Sequence, residues 1–320
     1  MITVTPYHSD YKSRWDRFVA SLIGSEDKGV KNTSFLFSRA FIEYHRDRFE
    51  DHSLLFLKDE NVIGVLPANR SENTFYSHQG LTYGALVLEK SIAFAEAKQV
   101  VEVLFQYLKT EGFHRFQIKL LPQFYMQQPA YELEHLLLEA GAQVVKSQLN
   151  FGIDYKRPYF IHSTKERRAR QASERGLRYE EAGFSEFWNE VLKPRLSDKF
   201  DSEPVHSLAE ITQLQKQFPY NIKHINCYQG EILLAGVTLF LTEDVVKSQY
   251  GATTAEGEKL RAMDFLFVNL IQDYKDAGYR FFDMGTVKGG QEEAYNYGLI
   301  KQKEELGARA YLQNTLKLDL

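Results

Sequence analysis

Gln106–Phe116 reads QYLKTEGFHRF and Gln272–Phe282 reads QDYKDAGYRFF. Both stretches run from the end of an amphipathic helix, through a glycine, into strand-forming residues. A glycine at that point suits the left-handed residue that follows a helix C-terminus. Further on, EAGA (Glu139–Ala142) meets ELGA (Glu305–Ala308), and Gly141 and Gly307 have the same separation as Gly112 and Gly278. A register kept across an intervening strand and helix marks an internal duplication. Upstream, Ser38 and Phe49 match Ser207 and Phe218 at a second common separation, and Gly80 matches Gly251. At the ends, QLNFGID (Gln148–Asp154) matches QNTLKLD (Gln313–Asp319).

The same element order is expected in each copy. A helix comes first (YKSRWDRFVASL, FSEFWNEVLKPRL), then a second one capped by Ser38 or Ser207. Two strands around a turn follow, with a third strand ending at Gly80 or Gly251. The long helix then runs to Gly112 or Gly278, and a strand, a helix and a last strand complete the copy. The expected fold class is α+β: a tandem duplication, each half a mixed, largely antiparallel sheet flanked by helices. The domains are residues 1–155 and 156–320.

The 320 residues are 43% hydrophobic and 26% charged, with a net charge of -4. That length suits two cores of ordinary size, and the acidic balance argues against global attraction to nucleic acid or an anionic membrane. No signal-peptide pattern opens the chain, and the longest apolar run, Leu233 to Leu241, is too short to span a bilayer. A cytoplasmic protein without a transmembrane segment is expected. The lone Cys227 excludes an internal disulfide and reads as core within an alternating strand. Isolated histidines give no metal-ligand spacing, so no metal is expected.

The element order, FFDMGT (Phe281–Thr286) and NYGLIKQKEELGAR (Asn296–Arg309) resemble the FemABX branch of the GNAT acyltransferase superfamily. The resemblance covers essentially the whole chain. It implies acyl transfer, with an acyl-coenzyme A co-substrate and a cell-envelope or surface-polysaccharide acceptor, either a glycan or a nucleotide sugar. One departure stands out. The turn in which family members hold the coenzyme A diphosphate is here GEKLRA, and only its final Ala262 fits the usual glycine-rich pattern. The helix N-terminus still offers free amides, so Gly257, Lys259, Arg261 and Arg309 are the cofactor-binding candidates.

Acyl transfer needs a held donor, a base, donors for the oxyanion and an acid for the leaving group. The resemblance implies that the third strand splays from its neighbour, making the amides around Tyr250 and Gly251 oxyanion candidates; Gly251 reads equally well as a plain strand end. By the same resemblance Lys303 brings positive charge to the donor, with Asn296 near it. His78, in the loop SHQGLTYG, is the candidate base. Gln79, Tyr83, His206 and Gln249 are substrate-binding candidates. Asp283 either orients the acceptor or closes its strand. The run KERRARQASERG (Lys165–Gly176) is either a solvated helix face or, through Arg168, a phosphate reader.

The leading expectation is therefore an acyltransferase, of acetyl from coenzyme A, with the donor on the second copy and the acceptor in the cleft between the copies, on the side of the first. A FemX-like transferase dependent on aminoacyl-tRNA is one alternative, and only it brings in nucleic acid. A non-catalytic glycan-precursor-binding scaffold is the other.

Overall fold

In a computed structural model of the protein, the four repeat glycines close four helices in one way. Gly112, Gly141, Gly278 and Gly307 all have positive φ, at 75°, 94°, 87° and 94°. In each case the glycine N–H and the next residue's N–H turn back onto the last turn of the helix: Gly112 to Lys109 O and Phe113 to Leu108 O, Gly278 to Lys275 O and Tyr279 to Tyr274 O. Gly141 with Ala142 and Gly307 with Ala308 repeat the pattern. It satisfies carbonyls that the helix leaves unpaired, and it asks for the one residue without a Cβ. The repeat is thus a repeat of structural positions.

The structure describes residues 1–20, 29–200, 202–287 and 295–320. They form two units, Met1–Gln148 with Leu312–Leu320, and Leu149–Tyr311. The last strand of each copy therefore ends in the unit of the other.

In the second unit, antiparallel pairing links Leu177–Glu181, Ile222–Gln229, Ile232–Leu241 and Val245–Thr253 in that order. Val245–Thr253 then pairs in parallel with Phe281–Thr286, which pairs antiparallel with the end of Gln143–Asp154. Alternation along Ile222–Gln229 sorts the side chains. Ile225 and Cys227 join the core formed with Phe265, Leu266 and Leu270 of the long helix Ala262–Asp276, as the sequence pattern predicted for Cys227. His224 and Asn226 point the other way. There the His224 ring lies 5.2 Å from that of Phe184 and 4.6 Å from that of Phe187. Fully burying each such side chain contributes roughly 1.5–3 kcal/mol.

The first unit uses the same parts with shorter strands. Ile2–Pro6, Leu54–Lys58, Asn61–Leu66 and Val87–Leu88 make one sheet. Glu50–Asp51, Asn69–Ser71, Thr74–Tyr76 and Arg115–Lys119 pair separately, Arg115–Lys119 also with the C-terminal strand Arg309–Asp319. The break falls at Pro67, which has no N–H to donate to a ladder. Ser38 and Ser207 cap helices as expected, Ser207 in a reciprocal pair with Glu210.

Candidate active site

The parallel pairing of Val245–Thr253 with Phe281–Thr286 stops early. Val245, Val246 and Lys247 face Phe281, Phe282 and Asp283, and the register goes no further. The cause is local. Asp283 Oδ1 accepts the Gly285 N–H at 2.7 Å, and Gly285 takes a φ of 75°. This short turn swings the chain out of the ladder, so from Ser248 onward that edge of Val245–Thr253 has no strand partner among the described residues. On its other side the strand bulges between Ser248 and Tyr250, leaving Gln249 out of register and its Oε1 buried without a hydrogen bond. Bulges of this kind re-aim side chains beside binding sites.

A cleft of about 600 Å³ opens at the end of the same strand. Its walls are Gly251–Thr253, the start of the long helix, Lys165 and Arg168 of the helix Ser163–Glu174, and Lys301 of the helix Tyr297–Glu305, with Arg195. The basic run read from sequence as either a solvated face or a phosphate reader supplies two of these walls. Lys165 is buried and bonds Asp264 Oδ1 at 2.6 Å, and Arg168 reaches Asp264 Oδ2 at 3.4 Å. Arg195 pairs with Glu258, and Lys301 lies 3.9 Å from Glu305. Arg261 is different. It is left-handed, with a φ of 62°, caps the long helix, and among the described residues has no ionic partner. Five cations stand against Glu258, Asp264 and Glu305, so the cleft favours an anion, helped by the positive end of the helix dipole.

The strand Val245–Thr253 thus splays from its parallel neighbour beside the N-terminus of the long helix. A model described as Acetyltransferase (GNAT) domain matches residues 163–297. The second unit carries a GNAT acetyltransferase domain. No curated protein matches the sequence. Among solved structures, FemX superposes with a TM-score of 0.68 at 11% identity, covering 99% of this chain and 97% of that one. A tandem GNAT protein from the clavulanic acid biosynthesis pathway gives 0.55 at 9%, covering 100% and 98%. L-PGS from Bacillus licheniformis gives 0.57 at 12%, covering 87% and 91%. At such identities these likenesses speak for the fold, a tandem of GNAT-like units.

Within the second unit, Lys303 is almost fully buried, and its ammonium donates to Gly285 O at 2.8 Å and Thr286 O at 3.0 Å. Burial drives its proton affinity down, Asp283 opposes the fall and Lys247 adds to it, leaving a pKa of about 8. Lys247 Nζ lies 3.3 Å from Asp283 Oδ2. The sequence singled out Lys303 and Asp283, and the fold brings them together with Lys247, a residue that nothing in its local sequence marks.

Tyr250 and His206 also meet: the tyrosine hydroxyl lies 2.5 Å from His206 Nδ1 and accepts the His206 N–H at 3.2 Å. Burial pushes the Tyr250 phenol up to about 12. Gly257 lines the cleft so closely that a Cβ there would lie 2.2 Å from Leu234 O. Asn296 caps its helix through the Leu299 N–H at 2.9 Å. Lys259 is paired with Glu256 at the surface, and Arg309 bonds Ala308 O; neither lines the cleft.

In the first unit the region equivalent to the splay is filled. The strand Thr74–Tyr76 stops short of Gly80, where the sequence placed its end, because residues 77–84 form a loop. That loop bonds back through Ser77 N to Gln117 O at 2.9 Å and Gly84 N to Lys119 O at 2.7 Å. His78 sits in it with φ 56° and 4% exposure, and burial lowers its imidazole to about 4. His78 and Gln79 line a cleft of about 460 Å³ with Gln117 and Lys119. Tyr83 does not: it is core, with its hydroxyl 3.1 Å from Ser34 Oγ. The sequence placed these three side by side on a binding loop, but the turn at Gly80 sends Tyr83 inward.

Proposed function

We propose that the protein transfers an acyl group from a phosphate-bearing donor, held in the basic cleft of the GNAT domain, to an amine or hydroxyl of a cell-envelope or surface-polysaccharide precursor. One observation carries the reading: the cation-lined cleft ends on Gly251–Thr253, the stretch of strand whose edge has lost its partner. Donor phosphates would meet Arg168, Arg195, Arg261 and Lys301. The thioester carbonyl would then lie along the open edge, where strand N–H groups around Tyr250 to Ala252 stabilise the oxyanion as the uncharged amine attacks. The amine proton passes through water to the departing thiolate, and the Lys303 ammonium adds positive charge nearby. The acceptor is assigned to residues 1–155, with His78 and Gln79 in that unit's cleft, and the reaction to the cytoplasm.

Acetyl-coenzyme A is the leading donor. A second reading, aminoacyl-tRNA, is favoured by the turn before the long helix. There a short helix, Ala255–Leu260, and the left-handed Arg261 replace a glycine-rich amide cradle. Phosphates would thus be read by side-chain cations, a mode that suits a polynucleotide end.

The test is thermal unfolding with acetyl-coenzyme A and, separately, with aminoacyl-tRNA, in the wild type and in Arg261→Glu and Arg168→Glu. Ligand at a hundred times its Kd adds about 2.7 kcal/mol to the folded state, and both charge reversals should remove most of that gain. Stabilisation by neither donor, or stabilisation that both reversals leave intact, would refute the cleft as donor site.

A further inference from the structure

The second unit sets a buried lysine, Lys303, and a buried carboxylate, Asp283, beside the half-buried Lys247, and the reaction outlined above uses only Lys303. Lys247 and Asp283 occupy the last rung of the parallel ladder. Asp283 is fully buried, and its two oxygens are divided between tasks: Oδ1 takes the Gly285 N–H at 2.7 Å and Oδ2 faces Lys247 Nζ at 3.3 Å. The first contact makes the left-handed turn at Gly285. That turn presents the Gly285 and Thr286 carbonyls that grip the Lys303 ammonium. Lys303 therefore faces Asp283 from the strand Phe281–Thr286, Lys247 from the strand Val245–Thr253, and the ring of Phe151 at 5.9 Å from the strand Gln143–Asp154.

We propose that Lys247 and Asp283 are positioning residues for Lys303: the Asp283 turn places the carbonyls that hold its ammonium, and the Lys247–Asp283 ion pair holds that turn against the neighbouring strand. The arrangement joins two requirements in one residue, since the bond that ends the ladder also seats the lysine. With burial holding Lys303 at about 8, the charge it carries near neutral pH becomes sensitive to either neighbour. This inference rests on the proposed role of Lys303 at the donor, but its test does not need a donor.

The test is a pH titration of the Lys303 side chain by NMR in protein carrying ε-¹³C lysine, with the signal assigned by its loss in Lys303→Arg. Asp283→Asn keeps an oxygen for the Gly285 N–H and loses the charge, so the Lys303 midpoint should fall by about one pH unit. Lys247→Gln should raise it by a similar amount, and Lys247→Arg should restore the wild-type midpoint. If a single variant fails to fold, Lys247→Gln with Asp283→Asn exchanges the ion pair for an amide pair and should leave the midpoint within a few tenths of wild type. Single-variant midpoints that move the same way or not at all, or a double-variant midpoint displaced by a full pH unit, overturn the proposal. Opposite shifts, together with a wild-type midpoint that saturating acetyl-coenzyme A and aminoacyl-tRNA leave unchanged, would support the coupling and refute the donor role instead.

Discussion

The two units treat one structural opportunity in opposite ways. In each, a parallel pair of strands ends early and leaves a gap. In the first unit the gap is filled by residues 77–84, tied to Gln117 and Lys119 by backbone hydrogen bonds. In the second the strand continues through a bulge to Thr253, its edge unpaired among the described residues, with a basic cleft at its end. The difference teaches that a duplicated fold need not keep one geometry twice: the strand edge left open in one copy is closed in the other by a largely buried loop.

The largest effect that would test this contrast is a methyl group in each gap. At Gly84 a Cβ would lie 2.1 Å from Ser77 Oγ and 2.6 Å from Ser77 O, so Gly84→Ala should cost about 4 kcal/mol in a denaturant melt, more than ordinary overpacking. At Gly251 the nearest atom is the flexible Met263 Cε at 3.2 Å, and Gly251→Ala should cost less than about 1 kcal/mol. Equal costs would mean that the two gaps are alike.

Acid should loosen the filled gap next. His78 is neutral in the fold, with its pKa lowered from 6.5 to about 4. The unfolded chain therefore binds more protons between those values, and stability falls as pH drops from about 6.5 towards 4. The full loss from this one group is roughly 3 kcal/mol. His224, lowered to about 4 by burial in the second unit, adds a loss of the same sign. Melts from pH 7 to 4 should show a shallower decline in His78→Gln, and an unchanged slope would mean that the loop does not depend on a neutral imidazole.

The smallest effect concerns what the units share. A Cβ at Gly112 or Gly278 meets nothing within 4 Å, so replacement by alanine strains only the left-handed backbone, at about 1 kcal/mol. Matching losses in Gly112→Ala and Gly278→Ala would confirm that the two caps are equivalent. A twofold or greater disparity would break the equivalence.

Much of the fold was legible because it depends on single residues obeying local rules. The glycines mark helix ends by backbone conformation, Ser207 with Glu210 forms a cap, and Cys227 falls on the buried side of an alternating strand. The candidate site was legible in part. Lys303 and Asp283 stood in motifs, and Arg168 in a charged run. Lys165 belonged to the same run, but its burial against Asp264 depends on packing between two helices distant in sequence. Lys247 is marked only by its register opposite Asp283.

The sequence by itself determined that the chain is two copies of one α+β unit and where its helices stop, since left-handed glycines, caps and side-chain alternation act within a few residues. Only the tertiary structure decided that one gap is open and the other filled, that Tyr83 is core, and that the buried Lys303 and Asp283 meet the half-buried Lys247. Those outcomes depend on which strand edge finds a partner and which charge finds a counter-charge, and both are settled by residues that meet only when the chain has folded.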